Sequence, residues 1–296
     1  MRTDPKRLNK PIAWNGVAFK IPESWEIDSL DNTHLIVSEN GSPRAEIKWT
    51  ESPQSFTLEK HLKKFIFRSQ KLLNIKIHEQ VSPPFFSHSI PGFKFFFFSW
   101  ESPSSKGDGT LIFCTHCRRL TLFRFFFDSC LILNSSPHLI LSSFTDHPVT
   151  DQVSWQLFGM AFSTPVHFTL SDYSFKPGCF IMGFEYGKIH MTLSSWGPAL
   201  FLLSGKTLAE FAGERLPELS GLAEAGTCDR GNYLEWSYRQ GPFKNAGVLP
   251  FFSSHSRFIL FRICQDTEKN RIFGVKIDSP NRFETDLMKG SIIGGR

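Results

Sequence analysis

The sequence predicts an α+β fold in which an antiparallel sheet domain with packed helices occurs twice in tandem. Three observations predict it. An opening word recurs: Gly16-Val17-Ala18-Phe19-Lys20-Ile21-Pro22 is answered by Gly159-Met160-Ala161-Phe162-Ser163-Thr164-Pro165, with Gly, Ala, Phe and Pro in step at an offset of 143. Two short runs alternate polar and apolar residues, the mark of half-buried strands: Ala45–Trp49 and Ile189–Leu193. Each is followed by a helical period, because Leu58, Leu62 and Phe65 fall at i, i+4 and i+7 and a similar run starts at Leu208. The first repeat then spans 13–146, the linker 147–152 and the second repeat 153–285. Strands dominate the pattern, so an all-β sandwich is the structural alternative.

Taken in order, each repeat opens with a short strand and a Pro-set turn, then an aromatic (Trp25, then Phe168) placed to cover the core. Thr57 and Thr207 are the expected helix N-caps. Only the second has Glu three residues on, Glu210, and so carries a capping-box pattern. Gly92–Trp100 and Gly231–Arg239 read as matching strands beyond the helix. His116-Cys117-Arg118 parallels His255-Ser256-Arg257, and Leu122-Phe123-Arg124-Phe125 parallels Leu260-Phe261-Arg262-Ile263 one residue out of phase. Leu139–Phe144 reads as a short strand or the start of a helix. Ile272–Ile277 and a segment around Phe283–Leu287 close the second repeat. Asp146-His147-Pro148-Val149-Thr150-Asp151 reads as the linker, since Pro148 disfavours helix before it.

Phenylalanine is the compositional anomaly, 32 of 296 residues, thirteen of them between Phe85 and Phe144. Phe95–Phe98 and Phe125–Phe127 break strict alternation, and a strand sends successive side chains to opposite faces. Both faces of that sheet therefore need cover, from a helix, from the other repeat or from a partner. An uncovered strip of rings would be an association surface.

The net charge is +5, and the first ten residues alone, with four basic residues and one acidic, account for +3. No Lys/Arg stripe stands out, so nucleic-acid binding is the least favoured class. The N-terminus has no continuous apolar segment of the kind a signal peptide carries, and no run of 18 apolar residues exists to span a membrane. Six cysteines in a chain this long are too few for a disulfide scaffold. Reduced thiols and a cytoplasmic location follow as expectations.

Cys114-Thr115-His116-Cys117 is the best chemical motif. A CxxC can be redox active or can begin a zinc site, but a tetrahedral zinc needs four ligands and no second CxxC or regularly spaced Cys/His pair follows. In a continuous strand the two thiols would face apart, which leaves them as structural thiols unless a turn forms at Thr115-His116. His116 with Arg118, and His255 with Arg257, would each share a strand face and receive a carboxylate or phosphate, Arg acting as bidentate donor. The competing reading is a polar strand face. Glu46 and Glu235 read as edge or surface carboxylates. Neither a dinucleotide or phosphate loop, nor HExxH, nor GxSxG is present.

The words Gly16–Trp25 and Leu141-Ser142-Ser143-Phe144 resemble the PsbP-like superfamily, which includes photosystem II extrinsic proteins and bacterial DcrB-like lipoproteins. The resemblance covers about one repeat at a time, and the second has Phe168 in place of the Trp. It implies a central antiparallel sheet flanked by helices and a role in binding or scaffolding proteins. No N-terminal lipobox cysteine is present, a departure from the lipoproteins.

The expected function is therefore that of a non-enzymatic protein that binds another protein or itself, with no cofactor. The alternatives are a small-molecule- or metal-binding enzyme built on Cys114, His116, Cys117 and Arg118, and a weak nucleic-acid binder.

Overall fold

The computed structural model describes residues 8–81, 91–127, 136–148, 150–217, 219, 223–228, 231–240 and 257–281. The chain divides into unit 1, Met1–Pro148 with Gln156–Phe158, and unit 2, Val149–Trp155 with Gly159–Arg296.

Unit 1 opens with a hairpin, β1 (Leu8–Trp14) and β2 (Val17–Pro22), joined at Asn15-Gly16. Both turn residues have positive φ, 45° and 84°, as a tight hairpin turn demands. There follow β3 (Glu26–Asp31), β4 (His34–Glu39), β5 (Ser42–Glu51), α1 (Leu58–Leu73), β6 (Lys76–Glu79), β7 (Phe93–Glu101), β8 (Lys106–Cys114), β9 (Arg119–Phe126) and α2 (Ser136–Ser142). Seven of these strands form one antiparallel sheet in the order β3-β4-β5-β9-β8-β7-β6.

β10 (Gln152–Leu157) straddles the division between the units, and β11 (Met160–Pro165) lies in unit 2. Then come β12 (Thr169–Lys176), β13 (Cys179–Tyr186), β14 (Ile189–Trp196), α3 (Ala199–Leu202), α4 (Leu208–Arg215), β15 (Glu224–Cys228), β16 (Gly231–Gln240), β17 (Arg257–Asp266) and β18 (Arg271–Ser279). The sheet order is β12-β13-β14-β18-β17-β16-β15, which repeats that of unit 1 strand for strand. On that correspondence β9 matches β18, whereas the Leu122–Phe125 and Leu260–Ile263 words lie on β9 and β17. Those two words are therefore not equivalent in the fold.

The α+β expectation is corrected by this architecture: the protein is largely antiparallel β. The physical reason is how the sheet faces are covered. In unit 1 one face lies against the β1–β2 hairpin, whose Ile12, Trp14, Phe19 and Ile21 are fully buried. Phe19 meets Phe123 edge-on at 5.7 Å, and Phe144 meets Phe123 at 5.3 Å. Strands thus supply much of the second layer that helices were expected to supply. In unit 2, Phe162 of β11 likewise meets Phe273 of β18 at 5.6 Å.

The opposite face of the unit 1 sheet takes α1. Phe96, Phe98 and Trp100 point to it from β7, with Leu111 and Phe113 from β8, and Leu58, Leu62, Phe65 and Ile66 pack on them. Phe95 and Phe97 point the other way and stack on each other at 5.8 Å. The consecutive phenylalanines are thus shared between two covered faces. α1 runs well past the expected helical stretch and has no side-chain N-cap bond at Thr57, while Thr207 and Glu210 form the full capping box of α4. Leu139–Phe144, open between strand and helix, begins in α2; Phe283–Leu287 lies outside the described residues. No described helix is long and apolar enough to cross a membrane.

Glu46 is buried, contrary to the expectation of a surface carboxylate. On β5 it faces Arg124 of β9, directly opposite in register, and Arg124 Nε donates to Oε2 at 2.6 Å. Lys48 Nζ reaches Oε1 at 2.7 Å and His34 Nε2 at 3.0 Å. Burial pushes the Glu46 carboxyl up, but the Lys48 hydrogen bond and the Arg124 charge outweigh it, so its pKa lies below the ordinary value. A carboxylate with a depressed folded pKa stabilises the fold above its unfolded pKa, and that stabilisation disappears as pH falls through the folded one. Glu46→Gln is therefore expected to flatten the acid limb of stability. Urea midpoints followed from neutral pH to below the carboxylate range check this, and an acid slope equal to that of the wild type would count against it.

Candidate metal centre

Strand β8 ends at Cys114 and the chain turns through Thr115-His116-Cys117 into β9. The turn is held from outside. Thr115 donates its backbone N–H to the Gly92 carbonyl at 2.8 Å and its hydroxyl to the same oxygen at 3.0 Å. Arg118 takes a left-handed φ of 61°, unusual for a residue with a side chain. Its Nη2 donates to the carbonyls of Pro53 at 2.7 Å and Gln54 at 3.0 Å. A straight strand would separate the two thiols; this turn returns Cys117 to the side of Cys114.

Asp146 and His147 reach the same place from a distant part of unit 1. After α2 ends, Ala18 of β2 and Thr145 exchange two backbone hydrogen bonds of 2.8 Å. The Lys20 N–H donates to Ser143 Oγ at 2.9 Å. Arg119 Nη1 then donates both to the Gly16 carbonyl, at 2.7 Å, and to the Asp146 carbonyl. A Cβ at Gly16 would stand 2.8 Å from that Nη1, so the glycine serves the guanidinium as well as the turn. Hairpin, β9 and post-helix segment thereby fix Asp146, whose side chain is 1% exposed.

The result is a compact donor set. One ligand atom each from Cys114, Cys117, Asp146 and His147 lie within 4.8 Å of one another. Cys114 Sγ is 3.7 Å from His147 Nδ1, and Cys117 Sγ is 3.3 Å from Asp146 Oδ2. Tetrahedral zinc with bonds of about 2.0–2.3 Å sets its ligand atoms roughly 3.3–3.8 Å apart. These two separations lie on that edge length, and small shifts of the side chains would bring the set to a tetrahedron. Two thiols, an imidazole and a carboxylate are donor types that zinc accepts.

Without an ion the same groups satisfy one another. The Cys117 thiol donates to Asp146 Oδ2, and His147 Nδ1 lies 2.6 Å from Asp146 Oδ1. Burial, then the negative charge of Asp146, push the Cys117 thiol up to about 12. Such a thiol is protonated at neutral pH and is a poor nucleophile. A bound cation reverses that balance by taking the thiolate as ligand.

Of the residues singled out in the sequence, Cys114 and Cys117 come together as a possible ligand pair. His116 and Arg118 do not form a strand-face pair, because both lie in the turn. His116 is exposed with its ring 5.0 Å from that of His147, and Arg118 is committed to two backbone carbonyls. Arg257 pairs with Asp278 of the neighbouring strand and donates to the Lys188 carbonyl at 3.2 Å. Its intended anion is thus already supplied inside unit 2. His255 lies outside the described residues. Asp146 and His147 are not legible as ligands in the sequence because they sit 29 and 30 residues beyond Cys117, in a stretch that reads as linker. The available signal was two adjacent ligand-type residues closing a repeat that contains a CxxC.

No family model and no curated protein matches the chain. Among solved structures it is similar to immunity protein TplEi of the T6SS from Pseudomonas aeruginosa. The apo form shares 10% identity over 95% of this chain and 92% of that one, with a TM-score of 0.29. The form complexed with an "L" peptide shares 10% identity over 94% and 90%, with a TM-score of 0.28.

Proposed function

We propose that this chain is a zinc-binding protein in which Cys114, Cys117, Asp146 and His147 hold one Zn²⁺ and the ion's role is architectural. The observation that carries the reading is the convergence of four donor atoms, from two separate chain segments, within 4.8 Å. A catalytic zinc keeps one position for water or substrate and takes three protein ligands. Four protein ligands close the shell here, which favours a structural ion over the enzyme alternative. The ion would tie the β8–β9 turn to the segment after α2, so the far end of unit 1 would close against the middle of its own sheet.

The test is metal content and spectroscopy. Purified protein dialysed against zinc and then against buffer should retain one zinc per chain by elemental analysis. Cobalt should give the intense visible bands of a tetrahedral site with thiolate charge transfer. His147→Ala and the double Cys114→Ser/Cys117→Ser variant should lose both signals. Retention of zinc by the double variant, or none by the wild type, overturns the assignment.

A further inference from the structure

We propose that the outward face of α1 is a docking surface for an acidic segment of a partner protein, one that brings an apolar side chain to Phe67. The proposal goes beyond the zinc reading and does not depend on it.

The inner stripe of α1 is spent on the sheet, through Leu58, Leu62, Phe65 and Ile66. The outer stripe is of another kind. Lys60, Lys64, Phe67 and Lys71 follow at i, i+4, i+7 and i+11, one line down the helix, with Lys63 and Arg68 beside it. All six are exposed, Phe67 at 58%. Five basic residues against the single acid Glu59 give the helix a net charge of +4, beside +5 for the whole chain. The sequence showed no such stripe because the charges are interleaved with the apolar residues of the other face. Only the helical turn gathers them.

Three features point to a protein partner. First, the basic side chains of this face have no carboxylate partner among the described residues. Lys60–Lys64 and Lys64–Arg68 are like-charge neighbours at i, i+4, a placement that weakens an isolated helix. Carboxylates from outside would relieve it, and burial followed by the Lys64 and Arg68 charges already holds His61 below its usual pKa. Second, the ring of Phe67 stands among these cations, with Lys71 Nζ 5.4 Å from its centroid. Leu72 and Leu73, 71% and 63% exposed, extend the apolar area at the helix end. An apolar centre with a charged rim is how protein interfaces are built.

Third, the other anionic surfaces fit less well. Single-stranded nucleic acid is held by successive stacking rings, and this face offers one. A bilayer takes the broad apolar face of an amphipathic helix, and that face is already buried against the sheet.

The test uses the full chain and three fluorescent probes: a synthetic peptide alternating Glu-Glu with Leu, vesicles rich in phosphatidylserine, and an oligothymidylate. The peptide should bind, should lose affinity steeply with salt, and should bind at least tenfold more weakly to Lys60→Glu/Lys64→Glu/Lys71→Glu. Phe67→Ala should weaken it severalfold, while a peptide with Ser in place of Leu should not distinguish Phe67→Ala from the wild type. Because all these positions are exposed, unchanged circular dichroism is expected, and Lys→Gln at the same three sites is the milder check. A chelator should leave peptide binding intact, which separates this surface from the zinc site. Equal peptide affinity in the charge-reversed variant, or tighter binding of vesicles or oligothymidylate than of the peptide, overturns the proposal.

Discussion

Cys117→Ser is expected to weaken the response of unit 1 to zinc and to lower its thermal midpoint by up to about 5–10 °C when zinc is in hundredfold excess over its wild-type dissociation constant. The magnitude follows from linkage. A ligand bound only by the native state contributes roughly 2.7 kcal/mol at that excess, and a unit of about 150 residues moves by about 2–4 °C per kcal/mol. The sheet of unit 1 is closed by backbone pairing and apolar packing without the ion. The loss is therefore a shift in midpoint, in contrast to small zinc fingers that unfold outright without metal. Removing the thiolate removes one corner of the tetrahedron. Asp146 and His147 stay anchored through Thr145 and Arg119, so the remaining three groups keep their places. Calorimetry of wild type and variant, with zinc and with chelator, checks this. The two proteins should nearly coincide in chelator and separate in zinc. A wild-type midpoint that ignores zinc would refute the expectation.

Phe123→Ala is expected to destabilise unit 1 by about 3–5 kcal/mol, the range for truncating a fully buried ring. Phe123 has no exposed surface and sits on β9, with β5 on one side of the strand and β8 on the other. Its ring meets Phe19 of the hairpin at 5.7 Å, Phe144 at 5.3 Å and Phe125 at 6.0 Å. Truncation would open a cavity between the hairpin and the sheet, bounded by Phe19 and Phe125, whose strands are pinned by hydrogen-bond ladders, and by Phe144, held next to the Thr145 bridge to Ala18. The lining can collapse only in part, and so the cost should lie toward the upper end. The matched control is Phe67→Ala, which should change stability by less than about 0.5 kcal/mol because that ring faces solvent. Urea unfolding of both variants measures the contrast. A loss under about 1 kcal/mol for Phe123→Ala would mean that the hairpin does not pack as described.

Local elements were legible wherever one residue pattern sufficed to specify them. The period of Leu58, Leu62 and Phe65 marked α1 and its buried side, and Thr207 with Glu210 marked the start of α4. The broken alternation of Phe95–Phe98 announced a sheet covered on both faces, and the two faces are indeed taken by different partners within unit 1. Where a pattern had to be matched across strands, the reading slipped. Leu122–Phe125 and Leu260–Ile263 look alike because each is a central strand with one arginine facing a glutamate, Arg124 to Glu46 and Arg262 to Glu235. Yet they occupy different places in their sheets. Glu46 reads as a surface group in the sequence but is buried, since the alternation of its strand does not say which face is solvated.

The sequence by itself determined the covalent spacing that chemistry needs at short range: a CxxC able to bring two thiols together if a turn intervenes, and an amphipathic helix with one face for the sheet. Tertiary structure alone decided which layers cover the sheet, and hence that the fold is largely β. It also decided that Asp146 and His147 meet those thiols. The physical reason is the same in both cases. Helical and strand periods act over a few residues, whereas the hairpin's cover of β9 and the Thr145 bridge to Ala18 depend on contacts between residues more than a hundred apart, which no local pattern encodes.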